Sequence, residues 1–450
     1  MDASTPILIN TAILSLTLHR RGLMETTEKK TKVWIFHPDS SDESLGGNKR
    51  PARLAKHLNR SNYAVSVFSS SKFRYAKDNL IKDGALYLYR EGKVPFYYIK
   101  SRSYKKNDIN RILNWISFYF NVRKAAKEII KKEGKPDLII GSSPHPLAML
   151  AAVRIGKKYK IPVINEVRDF WPEVIFLGGR VKETSLIGKI MLAGERYIYK
   201  KSNALIFLKE GDFQYIVDKK WDIKNGGSID LDRCYYINNG VDLDEFEHNM
   251  RMHQLDDDDL QSDHFRAIYV GALGKVNDID KILDAAKLLQ KEDILFLIYG
   301  SGDQEDRLKD RLKDENIRNV KIKGYVESKY IPYVLSKASV NLLIYTQTQY
   351  NWSRGNSSNK LFEYMASGKP IISSVKMGYS IIDKYNCGIE IEDQRPEGLV
   401  EAIKHFYDMS DKELKSIEVN CKNGACDFDY SNLSSKLAQV IDKTITEYHR

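Results

Sequence analysis

The first half of the chain alternates short apolar runs with longer stretches in which apolar residues recur at helical spacing. The short runs predict buried strands at 32–38, 64–70, 136–143, 162–168 and 204–208. The longer stretches predict helices between them, at 50–61, 110–133, 146–160 and 187–202. Strands that alternate with helices in this way indicate βαβ units built around a parallel sheet.

Residues 248–263 interrupt this pattern with a polar, acidic run that has no apolar face, which is typical of a linker. Alternation then restarts, with strands predicted at 265–274, 294–303, 320–326, 340–346 and 369–375. The fold class is therefore predicted to be α/β, with two doubly wound parallel-sheet domains at 31–247 and 264–425. We expect the helical residues 426–450 to pack back towards the first domain.

An apolar run at residues 6–18 precedes the first predicted strand. At about 13 residues it is too short to span a bilayer as a helix. No basic region comes before it, so it is also a poor signal peptide. We expect residues 1–30 to lie outside the folded core as an N-terminal extension.

The formal net charge of +11 favours an acidic partner, which could be nucleic acid, an anionic membrane or a phosphorylated substrate. The four cysteines are scattered and form neither a CxxC pair nor a Cys/His metal pattern. We therefore expect free thiols in a reducing compartment. The sequence also lacks a Walker loop, a Ser-His-Asp arrangement and a metal-ligand helix, and we expect no metal site and no cofactor.

Most polar clusters of the first half follow predicted strands, at the sheet edge where doubly wound folds bind ligands. Gly46 and Gly47 open the helix after the first strand, which suits a phosphate or a close backbone approach. An ordinary glycine turn is the alternative, and the loop fails as a dinucleotide fingerprint. His145 lies between two prolines at another strand end, where a structural role is the alternative. The "EVRDFWPE" segment supplies Glu166, Arg168, Asp169 and Trp171, which could instead form only an ion-pair cluster.

The segment "SRGNSSNKLFEYMASGKPII" at 353–372 contains an amphipathic helix with small polar residues before it. Ser358 and Asn359 are good N-cap residues, and Gly368 suits the residue after the helix. The alternative is that the free amides of the helix start hold an anion, assisted by Lys360. Glu363 would repel a phosphate, so it would address a different group, such as a pair of sugar hydroxyls.

Together these motifs resemble retaining glycosyltransferases of the GT-B architecture, in the large fourth family that includes bacterial polysaccharide and lipopolysaccharide enzymes. The similarity covers roughly residues 31 to 447 and is most specific in the "SPHP…EVRDFWPE" and "NKLFEYMASGKPII" segments. The other segments that carry it are "SLGGNKRPARLAKHL", "INNGVDLDEF", "YVGALGKVNDIDKILDAAKLL" and "LIYGSGDQEDRLK". It implies two Rossmann-like domains that face each other across a cleft.

The resemblance also implies roles for individual residues. In the C-terminal domain, Glu363 would bind the ribose hydroxyls of a nucleotide sugar. The donor diphosphate would contact a larger set, namely Gly46, Gly47, Gly271, Gly274, Lys275, Ser358, Asn359 and Lys360. In the N-terminal domain, His145 would contact the donor sugar, while Asp169 and Glu166 would position or polarise the acceptor hydroxyl; Arg168 and Trp171 would lie on the acceptor side. The family often carries two glutamates eight positions apart, but here position 355 is Gly, so the first of the pair is missing.

The implied reaction moves a sugar, of the N-acetylated hexosamine type, from a UDP-linked donor to a lipid-linked or saccharide acceptor, with retention at the anomeric carbon. Such an enzyme would serve surface polysaccharide or lipopolysaccharide synthesis in the cytoplasm, peripheral to the inner face of the cell membrane. Basic segments such as "KFRYAKDNLIK" interleave Lys and Arg with aromatic residues, which suits an anionic membrane surface; solvated helix faces are the alternative. The rival functions are a UDP-N-acetylhexosamine 2-epimerase, a basic nucleic-acid-binding protein and a catalytically silent member of the fold. No nucleic-acid motif is present, so we expect no nucleic-acid partner.

Overall fold

An eight-stranded sheet forms the centre of the N-terminal domain in the computed structural model, which describes residues 30–450 except 43, 46, 75, 106–107 and 348–351. Its strand order is β3-β4-β2-β1-β5-β6-β7-β8, and all neighbours are parallel except the edge pair β3 and β4. The strands are β1 (Thr31–Phe36), β2 (Tyr63–Ser70), β3 (Tyr87–Arg90), β4 (Phe96–Ile99), β5 (Leu138–Ser142), β6 (Val163–Val167), β7 (Ala204–Phe207) and β8 (Cys234–Tyr236). The predicted strands of this half are confirmed, and the antiparallel β3 is an addition to the doubly wound pattern.

The longer helices cover both faces of this sheet because each packs an apolar stripe against it. They are α1 (Arg50–Leu58), α2 (Ile109–Glu133), α3 (Pro146–Tyr159), α4 (Glu173–Leu177), α5 (Leu186–Lys201) and α6 (Phe213–Asp218). Helices α2, α3 and α5 bury their stripes against one face, with Phe118, Val122 and Ile129 of α2 fully buried there. Helix α1 packs on the opposite face through Leu54 and Leu58.

The C-terminal domain is a six-stranded, wholly parallel sheet in the order β11-β10-β9-β12-β13-β14. Its strands are β9 (Phe265–Val270), β10 (Ile294–Tyr299), β11 (Val320–Gly324), β12 (Val340–Leu343), β13 (Ile371–Ser373) and β14 (Gly388–Glu390). The helices from the domain connection onward are α7 (Leu243–Met252), α8 (Asp258–Gln261), α9 (Asp280–Leu288), α10 (Glu305–Asp314), α11 (Ile331–Ser336), α12 (Asn359–Ala366), α13 (Ile381–Tyr385), α14 (Pro396–Tyr407), α15 (Asp411–Asp427) and α16 (Tyr430–His449). Two parallel-sheet α/β domains are thus present, as the sequence predicted.

The predicted linker, residues 248–263, contains the end of α7 and the whole of α8, and it lies against the C-terminal sheet. Leu260 is buried, and Asp257 accepts hydrogen bonds from the Tyr299 hydroxyl at 2.7 Å and the Lys323 ammonium at 2.6 Å. The acidic run therefore forms ion pairs with lysines of the domain that follows it.

Helix α16 crosses back to the N-terminal domain and packs along α1. The Tyr63 hydroxyl donates to the Asp442 carboxylate at 2.8 Å, and the Ser434 hydroxyl donates to the Leu54 carbonyl at 3.3 Å. Apolar residues of α16, including Leu437 and Ile441, are buried in the same core as α1. The last helix thereby covers a face of the first domain.

Three further expectations concern the chain as a whole. The predicted extension, residues 1–30, lies outside the described residues apart from Lys30. All four cysteines are free thiols. Within the described ranges, no helix is both long enough and apolar enough to cross a membrane.

Candidate active site

A cavity of about 450 Å³ lies between the two domains, where the carboxyl ends of both sets of parallel strands meet. Glu363 and Asn359 of α12 line it from the C-terminal side. Residues that follow strands of the N-terminal sheet line the other side, namely His37, Asp39, Gly47, Ser143, Pro144, Arg168, Asp169 and Trp171. The structure therefore brings Glu363 together with Arg168, Asp169 and Trp171, as the sequence predicted.

Asp169 and Arg168 follow strand β6 directly and face the cavity. Burial between the domains raises the pKa of Asp169, although Arg168 and Lys209 oppose that rise. The Arg168 guanidinium lies 2.9 Å from Nε2 of His37, and burial holds the pKa of His37 well below its usual value. A neutral His37 can therefore accept the Arg168 hydrogen bond at Nε2, which fixes the orientation of the guanidinium.

Glu166 lies below the cavity floor in a buried ion pair and does not line the cavity. Its Oε2 accepts from Nε and Nη2 of Arg50 at 2.9 and 2.7 Å, and its Oε1 accepts from the Ser142 hydroxyl at 2.6 Å. Despite burial, Arg50 and Arg168 lower the pKa of Glu166 to about 2, so the carboxylate stays charged. The catalytic role predicted for Glu166 does not fit this geometry, because both oxygens are already occupied; the residue instead positions Arg50.

Arg50 extends this network to the loop after β8. Its guanidinium donates to the carbonyls of Ile237, at 2.9 Å, and of Asn238. Nδ2 of Asn238 then donates to the Asn356 carbonyl at 2.9 Å, and Nδ2 of Asn239 donates to the Ser357 carbonyl at 2.6 Å. The N-terminal domain thus holds the loop that leads into α12.

A second contact between the domains involves the same loop. Arg354 makes a bidentate ion pair with Glu173 of α4, with N–O distances of 2.8 and 3.0 Å. Its guanidinium also lies 5.1 Å from the ring centres of both Phe170 and Tyr215. The next residue, Gly355, has a φ of +102°, which a residue with a Cβ adopts only under strain. Gly355 stands where the family often carries its first glutamate, and the backbone there forms a positive-φ turn beside Arg354.

The start of α12 carries the predicted diphosphate contacts. Ser358 is the N-cap residue, but its hydroxyl bonds to the Tyr345 hydroxyl at 2.6 Å and does not cap the helix. The Lys360 ammonium lies 3.1 Å from the Tyr269 hydroxyl and 3.3 Å from Oδ1 of Asn277. It also lies 4.7 Å from the ring centres of Tyr269 and Tyr345. Burial lowers the pKa of Lys360 to about 7, and nearby Glu363 opposes that shift.

Gly271, at the end of β9, lies against Lys360: a Cβ built there would come within 2.9 Å of the ammonium nitrogen. Gly274 and Lys275 follow in the next turn, whose Asn277 contacts Lys360. The structure therefore groups these residues at one strand end, although they do not line the cavity itself. Gly47 lines the cavity from the opposite domain, while its predicted partner Gly46 lies outside the described residues.

Glu363 lies one turn into α12 and opens onto the cavity. Burial raises its pKa, while Arg53 and Lys49 of the N-terminal domain lower it. Both cations also pair with Glu245 of α7, at 3.0 and 3.9 Å. Glu363 is therefore a carboxylate in a basic setting, able to accept two hydrogen bonds from a ligand.

His145 is fully buried and lies behind the cavity wall. Its ring stacks on Trp115 of α2 at 4.8 Å, and neither ring nitrogen has a hydrogen-bond partner within the described ranges. Burial, with a contribution from Arg111, lowers the pKa of His145 to about 3, so the imidazole is neutral. In this structure Trp115 covers the residue predicted to contact the donor sugar.

Several residues of the site were not singled out from the sequence: Arg50, Glu173, Asn238, Asn239, Asn277 and Arg354. Most of them form contacts between distant segments, so no local spacing marked them. The available signal was their presence inside the quoted segments "GGNKR", "EVRDFWPE", "INNG", "YVGALGKVNDIDKILDAAKLL" and "SRGNSSNK". Among the described residues, no group of three His, Cys, Asp or Glu is placed to hold a metal ion.

Known families match both halves of the chain. A glycosyl transferase 4-like domain matches residues 46–224, and the glycosyl transferases group 1 family matches residues 254–423. No curated protein sequence matches the chain.

Solved structures share the fold at low sequence identity. A glycosyltransferase from Rickettsia africae ESF-5 is 16% identical, with a TM-score of 0.62 over 92% of this chain and 99% of that one. Anabaena HepE in complex with UDP and glucose is 13% identical, with a TM-score of 0.60 over 92% and 99%. WaaG, a glycosyltransferase involved in lipopolysaccharide biosynthesis, is 15% identical, with a TM-score of 0.59 over 91% and 99%. With its two halves matched by glycosyltransferase family models and its two sheets arranged as in these structures, the chain has the GT-B fold and is similar to glycosyltransferases over most of its length.

Proposed function

We propose that this enzyme transfers a sugar from a UDP-linked donor to a lipid-linked or saccharide acceptor, with retention at the anomeric carbon. The observation that carries the proposal is the shared cavity: Glu363 of one domain and Asp169 of the other open onto the same space. A donor held at α12 and an acceptor held at the end of β6 would meet there.

The donor end is suited to a nucleoside diphosphate. The Glu363 carboxylate can accept from both ribose hydroxyls, and Lys360 lies one turn earlier, at the positive end of the same helix. Lys275, on the neighbouring strand end, would add a second cation. As the bond between the anomeric carbon and the diphosphate oxygen breaks, these cations stabilise the charge that develops on the leaving group.

Tyr325 supports a nucleotide at this edge of the sheet. It follows β11 directly and is 74% exposed. The Gly324 carbonyl before it accepts from the Gly300 amide at 2.7 Å, which places this loop beside the end of β10. An aromatic face in that position is available to stack on a base.

The acceptor end is suited to a hydroxyl group. Asp169 has a raised pKa, so its carboxylate is a better hydrogen-bond acceptor and proton acceptor than an ordinary aspartate. Arg168, held by His37, orients the acceptor from the same strand end. With retention, the acceptor oxygen bonds to the face that the diphosphate leaves, and its proton passes to the departing diphosphate oxygen or to Asp169.

We infer an N-acetylated hexosamine as the sugar, and surface polysaccharide or lipopolysaccharide synthesis as the setting. The UDP in Anabaena HepE and the lipopolysaccharide role of WaaG support a UDP sugar and a surface glycan. A lipid-linked acceptor would place the enzyme in the cytoplasm at the inner face of the cell membrane. Its net charge of +11 favours contact with anionic lipid.

The test is a panel of UDP- and GDP-sugars offered with a polyprenyl-diphosphate sugar and read by mass spectrometry. We expect one UDP-sugar to give a product heavier by one sugar, with the donor's anomeric configuration seen by NMR. Inversion would refute the retaining mechanism. Conversion of a UDP-sugar without any acceptor would instead indicate an epimerase.

A further inference from the structure

Two arginines that line the cavity have no role in the proposed reaction. Arg74 follows β2 within the segment "KFRYAKDNLIK", and Arg111 lies in the first turn of α2, which follows β4. The composition of that segment favours a membrane surface, but its Lys72 and Phe73 are buried. Its arginine instead lines the space between the two domains.

The two arginines lie on the acceptor side of the cavity, at the same sheet edge as Asp169. In the sheet order β4-β2-β1-β5-β6, Arg111 and Arg74 follow the first two strands and Asp169 follows the last. Adjacent strands lie about 4.8 Å apart, so the ends of β2 and β6 are separated by about 14 Å. An acceptor that spans this distance presents a hydroxyl to Asp169 and a second group to the arginines.

Asp39 follows β1, between these strand ends, and interacts with both arginines. Burial raises the pKa of Asp39, while the charge of Arg111, the backbone amide of Arg74 and the charge of Arg74 oppose that rise. The charge of Arg168 acts on Asp39 in the same direction. Three guanidinium groups therefore share one neighbouring carboxyl, which cannot balance their charge alone.

The remaining charges of the cavity balance one another near the donor. Lys49 and Arg53 both pair with Glu245, beside Glu363. On the acceptor side, the described residues that line the cavity carry three cations and two carboxyls, namely Arg74, Arg111, Arg168, Asp39 and Asp169. The acceptor side is therefore the part of the cavity with an excess of positive charge.

Arg111 is also held against an aromatic surface. Its guanidinium lies 5.4 Å from the ring centre of Trp115, which lies 5.5 Å from the ring centre of Trp171. Stacking of this kind restrains a planar guanidinium, and a restrained guanidinium can bind the paired oxygens of a carboxylate or a phosphate. Arg111 is thus arranged to bind an oxyanion beside the Trp171 indole, which lines the same cavity.

We propose that Arg74 and Arg111 bind an oxyanion on the acceptor, either a carboxylate or a phosphate, and thereby select an acidic saccharide. The inference rests on the proposed function, because it names the class of acceptor for that reaction. The oxyanion forms charge-assisted hydrogen bonds with the two guanidinium groups, while the reacting hydroxyl lies at Asp169. A neutral acceptor lacks these bonds and leaves the positive charge of this side unbalanced.

The experiment uses ligand-observed NMR titrations of the full chain, with and without saturating UDP. The probes are methyl glucuronide, glucose 6-phosphate and methyl glucoside, which carry a carboxylate, a phosphate and no charge. We expect an acidic probe to bind about tenfold more tightly than the neutral one. The acidic probe that binds more tightly identifies the oxyanion as a carboxylate or a phosphate.

An Arg74→Gln, Arg111→Gln double variant should lose this preference while its UDP affinity and its urea unfolding midpoint stay native. The matched control is Arg102→Gln, which removes an exposed arginine between β4 and α2 that does not line the cavity. The control should keep the native preference. If the double variant does not fold, each single variant should still reduce the preference.

Equal binding of acidic and neutral probes by the native chain would overturn the proposal, whether or not any variant folds. An unchanged preference in the double variant would also overturn it. So would a parallel loss of UDP affinity, which would assign the arginines to the donor diphosphate. The titrations require no sugar transfer, so failure of the proposed function, seen as no product from any donor, remains distinguishable from failure of this inference.

Discussion

Lys360 offers the sharpest test of donor binding, because its charge is set to change near neutral pH. Burial lowers its pKa to about 7, whereas the phosphates of UDP require a positive partner. Only the protonated ammonium attracts the diphosphate, so raising the pH through 7 should weaken binding. Uptake of a proton should accompany binding above that pH.

The size of the effect follows from the protonated fraction. With a pKa of about 7, roughly half of the lysine is charged at pH 7 and about 3% at pH 8.5. If only the charged form binds, the affinity for UDP falls about 15-fold over that interval, or ~1.6 kcal/mol. The terminal phosphate of UDP, with a pKa near 6, is already ionised across this range and does not mask the trend.

Calorimetry between pH 7 and 8.5, repeated in two buffers of different ionisation enthalpy, measures both the affinity and the proton uptake. The control variants are Lys360→Arg, which stays charged and should show a flat profile, and Lys360→Met, which should bind weakly at every pH. A flat profile in the native protein, or an unchanged slope in Lys360→Met, would refute the reasoning.

Three further predictions concern the remaining contacts of the site. Glu363→Ala should weaken UDP binding about 10- to 100-fold, since two hydrogen bonds to a charged group are lost. If calorimetry finds an unchanged affinity for UDP, Glu363 does not bind the ribose. Asp169→Asn should lower the rate of sugar transfer by about 10²- to 10⁴-fold and leave UDP affinity unchanged. Turnover at the native rate would show that the Asp169 carboxylate takes no part in the reaction. A double-mutant cycle of Arg354→Ala and Glu173→Ala, read from urea unfolding, should give a coupling of about 1–3 kcal/mol. Coupling near zero there would mean that the ion pair does not join the domains.

The alternation of apolar runs was sufficient to predict both sheets, because parallel strands buried on both faces must be continuously apolar. The strand-end positions of Arg168 and Asp169 placed them at the ligand-binding edge of the first sheet, and the resemblance to GT-B enzymes implied a cleft that Glu363 would share. All three residues line the cavity. The Arg50–Glu166 and Arg354–Glu173 pairs could not be predicted. Their partners lie 116 and 181 positions apart, and a local pattern contains no information about such pairs.

His145 shows a second limit of sequence reasoning. Its place at a strand end was identified correctly, but its exposure depends on Trp115, which belongs to a helix from an earlier part of the chain. Likewise, Glu166 has the residue type and strand-end position of a catalytic acid. Only the three-dimensional arrangement shows that Arg50 and Ser142 occupy its oxygens.

The crossing of α16 onto α1 has a consequence for how the protein is made. During synthesis the N-terminal domain emerges first, without the helix that packs along α1. That surface is closed only after Tyr430–His449 leave the ribosome, nearly 200 residues after the first sheet is complete. The nascent chain therefore exposes this face of α1 for nearly half of translation, and frameshifts near the 3′ end should produce aggregation rather than a shorter active enzyme.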